Sequence, residues 1–353
     1  MNAPEPATRQ PDRTWYATLA RRTAIAAAVT IILAIPSVVL YLFLHQPAVT
    51  WSIVGGIVGL LAVLTGGREL GFLATGILVA LTPVAIVAGS VPIAAAGLMA
   101  IMSLMLGRSA RFGLHRVLLV IPIFMTWMLM EPPFWNPGEV VDRTNPDYLM
   151  WMAIIFAVGS AFPVIVMPLV MKKVQILPTQ PHDRADTITY TWTITILTTV
   201  AIFVLLEYFP QTSGAWLIST ILVLTQVGEV GTVRLTVHRT VGTLIGVAVV
   251  AILVSIGLPL PVLYVIGLIT MIAALDVRFG PHYWLYTALI TPTVVLLNSS
   301  SSTQISGLAD QRAAFTVIGA LLVVLSAGIA VGYAHWENKH GNGPTQETPS
   351  ATA

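Results

Sequence analysis

The sequence predicts an all-α, polytopic membrane protein of about twelve transmembrane helices, arranged as a 6+6 parallel internal repeat. Three observations carry this prediction. Hydrophobic residues make up 56% of the 353 residues and charged residues only 9%, with a mean hydropathy of +0.86. A soluble domain of this length needs a much larger charged surface. Apolar runs of roughly 17–25 residues recur along the chain, the length that crosses a bilayer core. Finally, Arg111-Phe112-Gly113-Leu114-His115 returns as Arg278-Phe279-Gly280-Pro281-His282, an offset of 278 − 111 = 167, close to half the chain. Its surroundings repeat too. Trp51 and Trp216 are 216 − 51 = 165 apart, and Arg68-x-x-Gly71 and Arg239-x-x-Gly242 are 239 − 68 = 171 apart.

The predicted spans are 23–44, 50–67, 70–89, 91–107, 115–131, 149–171, 190–209, 214–229, 234–257, 259–275, 282–297 and 311–333. The first follows Arg21-Arg22, is longer than a signal-peptide core and has no small-x-small cleavage site after it, so it reads as a retained helix. Several spans meet at turns punctuated by Gly or Pro, namely Gly66-Gly67-Arg68-Glu69, Ala88-Gly89-Ser90 and Gly257-Leu258-Pro259. These spans divide the chain into a disordered cytoplasmic N-terminus (1–22), a first six-helix repeat (23–171), a cytoplasmic linker (172–189), a second six-helix repeat (190–333) and a disordered cytoplasmic tail (334–353).

Orientation follows from the basic residues. With the N-terminus inside, every Lys and Arg is cytoplasmic except Arg143 and Arg312, so both termini are placed in the cytoplasm and the protein in the plasma membrane. An even number of helices per half makes both copies enter the membrane in the same sense, related by an axis along the membrane normal. The pI of about 9.0 does not point to nucleic acid, because the basic residues sit beside apolar runs. There are no cysteines, so disulfides and thiol chemistry are absent. No phosphate-binding loop and no His-Glu-x-x-His occurs, and the histidines are scattered. The sequence therefore gives no catalytic residue, no metal site, no cofactor and no enzyme.

A more specific signal lies in the second half. Trp216, Leu222-Val-Leu-Thr-Gln226, His238-Arg-Thr-Val-Gly-Thr-Leu-Ile-Gly246 and Tyr286-Thr-Ala-Leu-Ile-Thr-Pro-Thr293 follow one another. In these residues the chain resembles the fusaric acid resistance protein-like family, which includes aromatic acid exporters. The resemblance covers about 190–333; the first half joins it only through its similarity to the second. Many relatives carry a cytoplasmic domain between their membrane halves, where this chain has only the 172–189 linker. The resemblance implies export of small, often aromatic, organic acids or toxic compounds.

Candidate transport residues follow from position. Arg239 opens a helix at the cytoplasmic side and can hold an anionic substrate there or serve as a topological anchor. Gly242 and Gly246, four residues apart, share one helical face and permit close helix approach; Gly55 and Gly59 form a similar face. Glu229, near Gln226 and with Arg234 or Arg239 as partner, is the candidate proton carrier or an interfacial ion pair. His115 and His282 titrate in the physiological range when unperturbed, or simply close turns. Thr291-Pro292-Thr293 is expected to interrupt its helix, with Pro122 at a comparable place in the first half; such paired breaks mark binding sites or plain kinks. Most tryptophans fit an aromatic belt at the interface. The reading is an ion-gradient-driven exporter whose partners are the lipid bilayer, a small anionic aromatic substrate and either a second copy or an envelope protein. The alternative is a non-transporting membrane scaffold of a cell-envelope complex.

Overall fold

Long apolar runs satisfy their backbone groups internally only as helices, and among the described residues the computed structural model contains helices and no strand. It describes residues 13–135, 140–170, 181–210, 212–225, 227, 232–277, 282–297, 299 and 302–339. The helices are α1 (Arg13–Leu44), α2 (Trp51–Ala88), α3 (Pro92–Ser109), α4 (His115–Leu118), α5 (Val120–Met130) and α6 (Pro146–Val170), then α7 (Arg184–Tyr208), α8 (Ala215–Leu224), α9 (Thr232–Ser255), α10 (Leu260–Val277), α11 (Tyr283–Leu297) and α12 (Ser302–Lys339). Eight are long and apolar enough to cross a membrane; the apolar helices His115–Met130, Ala215–Leu224 and Tyr283–Leu297 are shorter. This is a multi-pass membrane protein. Its outer surface agrees, since Phe43, Ile93, Met105 and Ile329 are each at least two-thirds exposed, an arrangement suited to lipid and not to water.

Helix α2 is long enough to hold two predicted spans. Gly67 interrupts it at φ 72°, ψ −166°, a conformation open to glycine and costly for residues with a Cβ. Trp51 lies 6.3 Å ring to ring from Trp127 near the end of α5. At the other end of α2, the Ile86 carbonyl shares the Arg143 guanidinium with Leu129, also near the end of α5. A straight helix would separate Trp51 from Ile86 by about 50 Å. The chain therefore doubles back at Gly67, where the sequence predicted a turn, and α2 contributes two antiparallel legs.

Other boundaries differ from expectation for identifiable reasons. Helix α1 already begins at Arg13, inside the predicted tail 1–22, and α12 continues to Lys339. Helix α8 stops at Leu224, five residues early, where Thr225 turns extended (φ −71°, ψ 111°). Helix α12 begins at Ser302 and not at 311, because the polar stretch Ser302–Gln311 is helical. Its buried stripe (Ile305, Ala309, Arg312, Thr316, Ala320, Val323) keeps a helical spacing throughout. Pro292 does not break α11, which runs through it. In the first half the interruption falls at Leu119, between α4 and α5, and Pro122 sits in the first turn of α5, where a missing N–H is tolerated.

The first copy of the repeated motif is a helix-to-helix turn. Arg111 and Phe112 finish a 3-10 turn, Gly113 takes the left-handed conformation at φ 72°, and His115 starts α4. In the second copy, Arg278 to Pro281 lie outside the described residues.

Packing joins the two halves. A core rich in methionine, with Met99, Met125, Met128 and Met152 sealed against Phe156, continues into Ile194, Ile202, Ile218 and Leu222 of the second half. Helix α7 packs on α3, and α1 packs on α10. Ser103 and Thr198 hydrogen-bond across the first of these interfaces at 2.8 Å. Within the halves the tightest seams are α2 with α6 and α9 with α11.

Candidate functional site

Two kinds of place follow from the fold, called here the tryptophan end and the histidine end. At the histidine end, His115 is buried, with His182 at 5.1 Å and Tyr190 at 5.8 Å, both edge-on, and its Nδ1 has no partner. The His182 N–H donates to the Ala110 carbonyl at 3.3 Å, tying the start of the second half to the motif turn of the first. His282 is exposed and serves as the N-terminal carbonyl of α11, accepting from Leu285 and Tyr286.

The helix seams are built on glycine. A Cβ at Gly242 would collide with the Thr287 hydroxyl and the Trp284 carbonyl, and one at Gly246 with Thr291 and the Ala288 carbonyl. These glycines therefore set α9 directly against α11. Gly55 and Gly59 do the same for α2 against Phe156 and Ser160 of α6. Pro292 lacks the N–H that would bond the Ala288 carbonyl, and that carbonyl is on the Gly246 side of α11.

The α9–α11 seam positions two arginines. Arg239 on α9 donates from Nη1 to the Tyr283 hydroxyl at 3.3 Å, and its buried Nε has no partner. Arg312 on α12 is 5% exposed. Its Nε donates to the Thr291 hydroxyl at 3.2 Å, its guanidinium lies 3.8 Å from the centre of the Trp216 ring, and its Nη1 has no partner. Thr291 is fully buried and donates in turn to the Thr287 carbonyl at 2.9 Å. The ionisable groups acting on Arg312 are Arg239, Tyr283 and Tyr286, with no carboxylate among the described residues. Trp216 meets Trp127 edge to face at 4.6 Å, and Trp127 leads on to Trp51. The helices too short to cross alone thus meet here, with α5 giving Trp127, α8 giving Trp216 and α11 giving Thr291.

Sequence reasoning singled out Arg239, Thr291, Pro292, Gly242 and Gly246, and the fold brings these together. It leaves Arg234 exposed, His115 in a separate cluster with His182 and Tyr190, and His282 exposed at the start of α11, one residue before Tyr283. Gln226 and Glu229 lie outside the described residues. Sequence reasoning sets Arg312 on the outer side, at the start of the last span 311–333, and does not single it out; the signal that locates it is the buried stripe from Ile305 to Val323, which extends the helix back beyond 311.

A second polar cluster at the tryptophan end was also missed. The Ser213 N–H donates to Gln311 Oε1 at 2.7 Å, and the Ser213 hydroxyl donates to Glu131 Oε2 at 3.4 Å. Glu131 lies just past the end of α5, with Oε1 buried and unpartnered. Burial pushes its carboxyl up to about 7, and the Ser213 hydrogen bond only partly offsets this. Arg143 closes α5 nearby, donating to the Leu129 and Met130 carbonyls at 2.7 and 3.0 Å. The pocket between α5 and α6, lined by Trp135, Asp142, Asp147, Tyr148 and Trp151, holds none of the predicted site residues.

Together these features define a multi-pass membrane protein with a buried cationic centre. Residues 187–326 match the model of the fusaric acid resistance protein-like family. The matched stretch runs from the first turns of α7 into α12 and contains Arg239, Thr291, Trp216 and Arg312. Neither the curated proteins nor the solved structures give a match.

Proposed function

We propose that the protein exports small organic acids, aromatic ones included, across the plasma membrane, driven by an ion gradient, with both termini in the cytoplasm. The observation that carries this reading is Arg312, buried at the seam of α11 and α12 with a second arginine, Arg239, acting on it and no described carboxylate doing so. Uncompensated cations at membrane depth are costly and mark ion or substrate paths. The family matched by residues 187–326 supports the same direction.

The parallel 6+6 repeat is part of this proposal. Its support is reciprocal packing. If α1 corresponds to α7 and α3 to α10, then α3 against α7 and α10 against α1 are one contact made twice, as a pseudo-twofold axis requires. In this arrangement the tryptophan end faces outwards and Arg239 stands towards the cytoplasmic mouth. The two halves rock about the centre, and Glu229 or a histidine carries the coupling proton. The bilayer and the organic acid are the partners; a second copy or an envelope protein is a further one.

Efflux of benzoate from loaded vesicles, with and without an imposed pH gradient, tests the reading. Faster efflux with the gradient is expected from vesicles containing the protein than from empty ones. Equal efflux with and without it rejects proton coupling. No efflux under any gradient, for benzoate or a panel of aromatic acids, rejects export and leaves a membrane scaffold.

A further inference from the structure

Arg143 and Arg312 are both partly or wholly buried arginines, and they use their donors differently. Arg143 turns its guanidinium onto backbone carbonyls of Ile86, Leu129 and Met130. That is how a structural arginine is satisfied in a protein interior. Arg312 is more deeply buried and makes one hydrogen bond through Nε, leaving Nη1 bare. Its orientation is nevertheless fixed. Thr291 holds one edge of the guanidinium, and the Trp216 ring covers one face. Thr291 is itself fixed, accepting from Nε while its own hydroxyl proton goes to the Thr287 carbonyl.

The second observation is the neighbour. Arg239 is near enough to act on Arg312 electrostatically and also keeps a buried donor, Nε, without a partner. Two like charges out of water repel each other and each pays for desolvation. The other ionisable groups acting on Arg312 are the hydroxyls of Tyr283 and Tyr286, and no carboxylate among the described residues is one of them. An anion on Nη1 of Arg312 would satisfy that bare donor and offset the repulsion from Arg239.

Depth also fits a transported ligand. From Gln304, where the apolar span of α12 begins, to Arg312 is about 12 Å of helix, against a hydrocarbon core of about 30 Å. Arg312 thus lies about two turns inside the apolar span of α12, at the junction of the short helices α8 and α11.

We propose that Arg312 is the deep anion-binding residue of this protein, taking the carboxylate of a small organic acid on Nη1 within reach of the Arg239 charge. Thr291 and Trp216 are positioning residues that hold the guanidinium flat. The proposal rests on the exporter reading for its choice of ligand.

The test uses the full chain in detergent micelles, with benzoate and its neutral isostere benzamide as probes in calorimetric titration. Wild type is expected to bind benzoate saturably and benzamide about tenfold more weakly or less, the loss of one charge-assisted contact. Arg312→Gln should weaken benzoate by about tenfold or more, and Arg312→Lys should not restore it, since an ammonium cannot lie flat on the indole. Arg116→Gln, an exposed cation away from the centre, should bind as wild type does. The proposal is overturned by absent benzoate binding in wild type, by equal binding of benzamide, or by unchanged affinity in Arg312→Gln. Should neither Arg312 variant fold, Arg239→Gln decides, and unchanged benzoate affinity there overturns it. The two readings separate cleanly. An Arg312→Gln protein that binds and exports like wild type ends the site assignment and leaves the exporter. Benzoate binding that needs Arg312, in a wild type that exports nothing, ends the exporter and leaves the anion site.

Discussion

Glu131 gives the protein a pH dependence of stability with a definite sign. Its carboxyl rises from the ordinary 4.5 to about 7, because burial strips solvent from the charged form faster than the Ser213 hydroxyl can replace it. The folded protein therefore keeps this proton between about pH 4.5 and 7, where the unfolded chain has released it. When the folded state binds more protons, stability falls as pH rises. The contribution is full below pH 4.5, declines through the window and is gone above it. A rise of 7 − 4.5 = 2.5 units, at 1.36 kcal/mol per unit, sets a ceiling of about 3 kcal/mol on the change. Glu131→Gln retains the shape and removes the titration. Thermal unfolding in detergent between pH 5 and pH 8 reads the difference. Wild type should lose a few degrees more than the variant over that range. The same pH profile for both proteins, or a wild type that gains stability over the variant as pH rises, would refute the reasoning.

Two further outcomes test the packing. Gly59→Leu drives a side chain into the Ser160 backbone of α6 and should cost at least the 1–3 kcal/mol of an overpacked core, about what rigid backbone permits; Gly76→Ala, with nothing within 4 Å of its added carbon, should unfold at the wild-type temperature. Arg143→Gln leaves the Leu129 and Met130 carbonyls short of donors and should lower stability by about 1–3 kcal/mol, read by thermal unfolding, while benzoate binding is unchanged.

Much of the fold was legible because membrane helices need length and apolarity, and both are visible in sequence. Gly67 was readable as a turn because Arg68 and Glu69 follow it, and charges are expelled to a helix boundary. The Gly242–Gly246 face was readable because small residues four apart stack on one side of a helix. What was not legible came from polar residues inside helices. Ser302–Gln311 reads as loop by composition, yet Ile305 and Ala309 are buried at helical spacing and carry Arg312 inwards. Pro292 reads as a break, yet the Thr291 and Thr293 hydroxyls bond the Thr287 and Leu289 carbonyls along the same helix, and α9 packs against the proline ring at Gly246. Glu131 reads as the first residue of an acidic loop; its partner Ser213 lies 82 residues on and is itself held by Gln311 a further 98 residues along, a network no local pattern shows.

The positive-inside pattern left two arginines unexplained, and their fates are instructive. Arg143 and Arg312 differ in position by 312 − 143 = 169, near the 167-residue offset of the motif. On the proposed repeat they stand at related places, one ahead of α6 and one within α12. In the first half the connection before α6 places the arginine at the end of α5, where orphan carbonyls are plentiful, and it becomes a cap. In the second half the helix begins earlier and continues through the arginine. Its guanidinium is carried to the α8–α11 junction, where the Thr291 hydroxyl accepts from Nε and the Trp216 indole covers one face. The same residue type in two related frames is thus neutralised by structure in one half and left with capacity in the other. On the proposed repeat, duplication supplies the arginine twice, and helix length decides which copy keeps a bare donor.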